Sequence, residues 1–202
     1  MLDSMITPFM VSSNSILIYG TYNYWMVALS VFVAILASFM GLQVARQSIN
    51  STSNTLKNIM LLIGSIALGG GIWTMHFVGM LAFNLCTTVG YDWTLTFLSL
   101  LPGIAASWVA LNYINSHQEG IKPLFIGGLL VGLGIGTMHY SGMAAMKMAP
   151  LLRYDLWMFA LSLVLAVSLA ILSLWVRVSL ISLWKEKTKE WQANLVTSVV
   201  MG

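Results

Sequence analysis

His76 and Met80 stand four residues apart, and so do His139 and Met143. In a helix, positions i and i+4 share one face, so each pair offers an imidazole and a thioether in the same direction. Met75 and Met138 come one position before the histidines, turned about 100° round a helix. Met146 extends the second stripe seven residues beyond His139. This donor set has a chemical preference. Thioethers are soft and suit Cu(I), and imidazole suits copper and zinc alike. Calcium and magnesium need oxygen ligands and find few here. Copper is the metal the set favours; zinc is an alternative. Haem is another, with the two histidines as axial ligands and Gly79 and Gly142 making room for the ring.

The two stripes belong to an internal repeat. Residues 69–83 read GGGIWTMHFVGMLAF and residues 132–146 read GLGIGTMHYSGMAAM, an offset of 63 with nine of fifteen positions identical. A lone histidine in a membrane helix is most often a hydrogen-bonder between helices, and methionine commonly fills apolar gaps. Two copies of Met-His-x-x-Gly-Met at matched depth shift the balance towards a ligand site, because ionisable groups inside a membrane are costly and usually functional. Tyr140 is a candidate polar partner behind the ligands, although Phe77 takes its place in the first copy; Met146 is a candidate for the same supporting role. Gly128, Gly132 and Gly136 form a GxxxGxxxG row that admits close helix packing. Gly79 and Gly142 would let a neighbouring helix or a small ligand approach the histidines.

The elements that must position these residues are membrane helices. The 202 residues are 58% hydrophobic and only 7% charged, against about 25% charged in an ordinary soluble domain. Six acids and nine bases cannot cover a soluble fold, and the composition excludes a disordered chain and a nucleic-acid binder. The single cysteine, Cys86, excludes a disulfide framework within the chain, Cys-rich zinc sites and thiolate-held clusters. A span needs about 20 apolar residues, and five full ones are predicted: about 22–45, 58–83, 93–113, 123–146 and 156–184. A sixth begins near Trp191. None of the five holds an acidic residue, which excludes a carboxylate-bridged di-iron site. No nucleophile–base pair, P-loop or acid pair appears, so this chain by itself is not an enzyme. The expected fold is all-α, a polytopic transmembrane bundle built from repeated helix pairs. Residues 1–21 form an outer segment before it.

Basic residues set the orientation. Arg46, Lys57, Lys122, Lys185, Lys187 and Lys189 fall after the first, third and fifth helices, while the other side holds Lys147 and Arg153. Positive residues favour the cytoplasm, which places the N-terminus and both histidines towards the outside. The ending Val199-Val200-Met201-Gly202 has the form of a third entry into the repeated motif, as if the chain stopped short of a third copy.

The motifs TMHFVGM and TMHYSGM resemble those of the MHYT domain, a bacterial membrane sensory module named for Met-His-Tyr-Thr. The resemblance runs from about Tyr22 to Gly202. It departs from the signature at Phe77, which replaces the tyrosine, and at Ser141, which replaces the threonine. The resemblance implies three motifs and about seven spans in the bacterial inner membrane, with cytoplasmic GGDEF and EAL domains following in the full-length protein. It also implies copper held by Met75, His76, Met80, Met138, His139 and Met143, sensing of oxygen, carbon monoxide or nitric oxide, and control of cyclic di-GMP. The expected partners are the lipid bilayer, a diatomic gas and a second copy in a homodimer. A membrane anchor or dimerisation module without a sensing role is the plainer alternative.

Overall fold

The computed structural model describes residues 20–49, 51, 53–84, 88–115, 120–148, 154–183 and 198. Among them, five helical spans are long and apolar enough to cross a membrane. In chain order the elements are β1 (Thr21–Tyr22), α1 (Tyr24–Ile49), α2 (Asn54–Leu81), β2 (Phe83–Asn84) and β3 (Gly90–Tyr91). Then come α3 (Trp93–Leu98), α4 (Leu100–Asn115), α5 (Ile121–Ala144), β4 (Met146–Lys147) and α6 (Leu156–Leu183). The third span, Trp93–Asn115, is α3 and α4 joined through a turn at Ser99. The predicted spans hold, with ends shifted by a few residues. The predicted sixth span apart from residue 198, the third motif, Cys86 and nearly all of the outer segment lie outside the described residues.

These segments are helical because hydrocarbon cannot hydrogen-bond a backbone, so each span must satisfy its own N–H and C=O groups. Their start points are written in side chains. Asn23 Oδ1 accepts from the N–H groups of Trp25 and Met26 at 3.1 and 3.4 Å. Asp92 Oδ1 does the same for Thr94 and Leu95 at 3.0 and 3.2 Å. Asp155 Oδ1 takes Trp157 and Met158 at 2.8 and 3.0 Å. Each short side chain satisfies amides at a helix start that have no partner within the helix.

Two closed helix pairs follow. In the first, β1 pairs antiparallel with β2, Tyr22 opposite Phe83, and the Asn23 N–H donates to the Ala82 carbonyl at 2.8 Å. In the second, β3 pairs with β4, Tyr91 opposite Met146, and the Asp92 N–H donates to the Ala145 carbonyl at 2.8 Å. Each pair therefore ties the end of its motif helix, α2 or α5, to the start of the span before it. Around the bundle, α1 packs on α2, α2 and α5 both pack on α4, and α5 packs on α6.

The core lies towards the end remote from the histidines. Leu42, Leu61, Leu68, Leu111, Val131 and Leu174 are buried there together. Glycines bring the backbones close enough. A Cβ on Gly69 would fall 2.7 Å from the Ile104 backbone, and one on Gly132 would fall 2.5 Å from Val167 Cα. Gly128 and Gly136 flank Gly132 on the same row, against Ile171 and Leu163 of α6. Apolar side chains such as Phe32, Leu36 and Met40 of α1, and Leu161, Leu165 and Leu169 of α6, are exposed; they form the surface that meets lipid.

Candidate functional site

The structure brings the two histidines together. His76 on α2 and His139 on α5 face each other with their Nδ1 atoms 3.3 Å apart. Their ring centroids lie 4.7 Å apart, tilted by 58°. Both rings are half-buried. The other nitrogen of His76, Nε2, is buried without a hydrogen-bond partner. It rests against Gly142, where a Cβ would lie 2.9 Å away. The glycine in the second motif thus makes the space that the first motif's ring occupies.

Gly79, at the equivalent position in the first motif, does not do the same for His139. A Cβ there would meet Ser30 Oγ at 3.8 Å, with no histidine inside 4 Å. The contact runs one way, from the first repeat onto the second, as successive units round a bundle place it. At Gly79 the neighbour that comes near is Ser30 of α1, and at Gly142 it is His76 itself.

Met80 and Met143 follow their histidines by one turn and are partly buried, as are Met75 and Met146. Met138 is different. It is among the most fully buried side chains, and its Cγ lies 3.5 Å from where a Cβ on Gly103 of α4 would be. Among the described residues, no group of three or more His, Cys, Asp or Glu side chains could hold a metal ion.

Aromatic rings enclose the pair in the same pattern twice. Phe77 packs edge-on to His76 at 5.3 Å and to Tyr91 at 6.1 Å. Tyr140 packs edge-on to His139 at 5.0 Å and to Tyr154 at 5.6 Å. Burial pushes the phenols of Tyr91 and Tyr154 above the ordinary tyrosine range, with Tyr140 adding to the effect at Tyr154; both rings stay neutral. Tyr140 OH is also hydrogen-bonded to Ser162 Oγ on α6.

Sequence reasoning missed Ser99, Ser162 and Trp73. Trp73 Nε1 donates to Ser99 Oγ at 3.0 Å and approaches the Thr96 carbonyl at 3.1 Å. A signal for the serines was present. Tyr22-Asn23, Tyr91-Asp92 and Tyr154-Asp155 are each followed, seven residues after the Asn or Asp, by a serine: Ser30, Ser99 and Ser162. The capping residue and the serine share a helix face two turns apart.

The family model described as "Bacterial signalling protein N terminal repeat", MHYT, matches residues 69–127 and 132–186, one copy for each histidine motif. The chain belongs to the MHYT family. It is 42% identical over 161 residues to the bifunctional diguanylate cyclase/cyclic di-GMP phosphodiesterase MucR of Pseudomonas aeruginosa, covering 79% of this chain and 23% of that protein. It is 38% identical over 154 residues to the cyclic di-GMP phosphodiesterase NbdA of the same organism, covering 76% of this chain and 19% of that protein. The signalling protein YkoW of Bacillus subtilis is 31% identical over 157 residues, covering 78% of this chain and 19% of its own length. No solved structure matches the chain. The chain spans about a fifth of the length of these relatives. It is an MHYT signalling module of a multi-pass membrane protein.

Proposed function

We propose that this MHYT chain senses a ligand through a metal site built on His76 and His139, and that the metal is copper. The observation that carries the reading is the meeting of the two histidines, contributed by separate repeats, at 3.3 Å between Nδ1 atoms. Two nitrogens each about 2.0–2.1 Å from a tetrahedral ion lie about 3.3–3.4 Å apart, so the spacing fits one small ion. The histidine donors would be joined by Met80 and Met143, with Met75 and Met138 as further candidates. A bound copper ion would supply the soft centre that thioethers suit, and oxygen, carbon monoxide or nitric oxide would be its ligand. Zinc shares the imidazole preference but gains less from thioethers. Haem fits less well, because rings 4.7 Å apart and tilted by 58° leave no slot for a porphyrin between them.

The chain's own residues would then hold the ligand and respond to it. A ligand shifts a protein only as far as it favours one packing over another, so occupancy has to alter how α2 and α5 meet. In the full-length protein, the change would reach a cytoplasmic cyclic di-GMP domain of the kind named in the relatives. The proposed setting is the bacterial inner membrane, with the N-terminus and the histidine pair towards the outside and with self-association into a homodimer. Residues 22–202 would form the sensory domain.

Elemental mass spectrometry and an absorbance scan of one purified sample test this. The expected result is stoichiometric copper without a Soret band, lost in an H76A/H139A double variant. Copper-free wild-type protein, after loading with Cu(I), would overturn the metal assignment; a Soret band would replace it with haem.

A further inference from the structure

The two repeats make one contact with different residues. In the third span, the Ser99 hydroxyl donates to the Thr96 carbonyl at 2.7 Å and receives the indole N–H of Trp73 at 3.0 Å. In α6, the Ser162 hydroxyl donates to the Phe159 carbonyl at 2.8 Å. Its proton is therefore committed, and Tyr140 is the donor in the hydrogen bond that joins Tyr140 OH to Ser162 Oγ. Ser99 and Ser162 are 63 residues apart, and so are Thr96 and Phe159. The donors are not equivalent. Tyr140 corresponds to Phe77, which has no hydroxyl, and Trp73 corresponds to Gly136. The donor has moved by one helical turn along the same face, from the position after the histidine to the position three before it. Phe77 then packs against Trp73 at 4.6 Å between centroids, the rings tilted by 43°.

We propose that Trp73 and Tyr140 are positioning residues for the histidine pair, each fixing the roll of its histidine helix against the first span of the next repeat. The geometry gives the reason. Neighbouring residues on a helix point about 100° apart. With Tyr140 held on α6, the next residue back, His139, is turned towards α2. With Trp73 held on the third span, His76, three positions on and about 60° short of a full turn, is turned towards α5. The two hydrogen bonds thus aim the two imidazoles at each other. Tyr140 also joins the pair to α6, so that a change in the roll of α5 at His139 pulls on Ser162. The positioning role stands on the hydrogen bonds alone; only its effect on metal binding rests on the function proposed above.

The test uses the purified chain and five variants: Y140F, S162A, Y140F/S162A, W73A and W73A/F77Y. Two readouts are taken, the ring-nitrogen NMR signals of the histidines in metal-free protein and the Cu(I) affinity by competition with a chromophoric chelator. Supporting groups behind metal-bound histidines change affinity by about 10–100-fold when removed, and about a 10-fold loss is expected for Y140F and for S162A. The double variant loses no more than either single one, because both remove one bond. S162A, whose side chain is on another helix from His139, moves the same histidine signals as Y140F. W73A shows a comparable loss at His76, and F77Y added to it restores the signal by supplying the phenol that the second repeat uses. Unmoved histidine signals in S162A and Y140F, with only a lower melting temperature, would overturn the proposal. Wild-type protein that binds no Cu(I) but whose histidine signals move in S162A would count against the metal site and leave the positioning role standing.

Discussion

The two motif helices differ by six substitutions across the fifteen residues of their shared segment, and they occupy unequal places around the bundle. What they keep is backbone approach: Gly69 lies on Ile104 as Gly132 lies on Val167. What they keep by exchange is a polar contact to the next span, Trp73 to Ser99 in one and Tyr140 to Ser162 in the other. What they do not keep is the surroundings of the motif glycines, because Gly142 receives His76 whereas Gly79 faces Ser30. The comparison teaches that duplication preserves where helices touch more strictly than which side chain makes the touch.

The largest effects test the shared part. A methyl at Gly69 or Gly132 would collide with backbone atoms at 2.7 and 2.5 Å, which cannot step aside as a flexible side chain can. G69A and G132A should each lower stability by about 1–3 kcal/mol or more, and by similar amounts, in thermal melts in the same detergent. A large inequality would break the repeat comparison. Next comes the unshared part. G142A places a methyl 2.9 Å from His76 Nε2 and should both destabilise the chain and disturb the His76 ring. G79A has 3.8 Å to Ser30 Oγ and should be neutral, or stabilising by up to about 1 kcal/mol as a helix glycine is removed.

Smaller still are the donor contacts. Y140F removes one hydrogen bond, worth about 0.5–1.5 kcal/mol, and W73F removes an indole N–H shared between Ser99 and Thr96 together with part of the ring, so both melting temperatures should fall, that of W73F by at least as much. A fall in only one would mean that the exchange of donors is not equivalent. The smallest difference lies outside the membrane. Asp92 pairs with Lys147 at 2.8 Å, where the first repeat has uncharged Asn23 and Asn84. The Lys147 contact, helped by the Leu95 N–H, holds the Asp92 carboxyl below the ordinary aspartate range. A depressed folded value means that this contribution is complete above the ordinary aspartate pKa and is lost as the pH falls through the lowered one. D92N keeps a capping oxygen and should flatten that acid-side loss, read as melting temperature against pH, with little change at neutral pH.

Much of this was legible beforehand. Sparse charge and runs of about 20 apolar residues dictate spans, and the 63-residue offset shows which two helices correspond. The meeting of His76 with His139 was legible as an expectation of matched depth, not as a distance, because depth is set along one helix and approach by the helices between. The Trp73 contact was hidden for a different reason. An alignment compares equal positions, and here the donor stands one turn from its equivalent. The direction of Gly79 was hidden too, since sequence symmetry says nothing of which neighbour each copy faces. Ser30, Ser99 and Ser162 carried a usable pattern, seven residues beyond each capping residue, but serine in an apolar helix reads as filler until the acceptor role of Ser99 and Ser162 is seen.

The central claim is that the two histidines form one site rather than two. Copper stoichiometry of the single variants H76A and H139A, each loaded with Cu(I) beside the wild type, tests it most directly. A shared site predicts that either change alone removes the bound copper as fully as the double variant does. Retention of about half the copper in each single variant would mean that each repeat binds its own ion, and would contradict the claim.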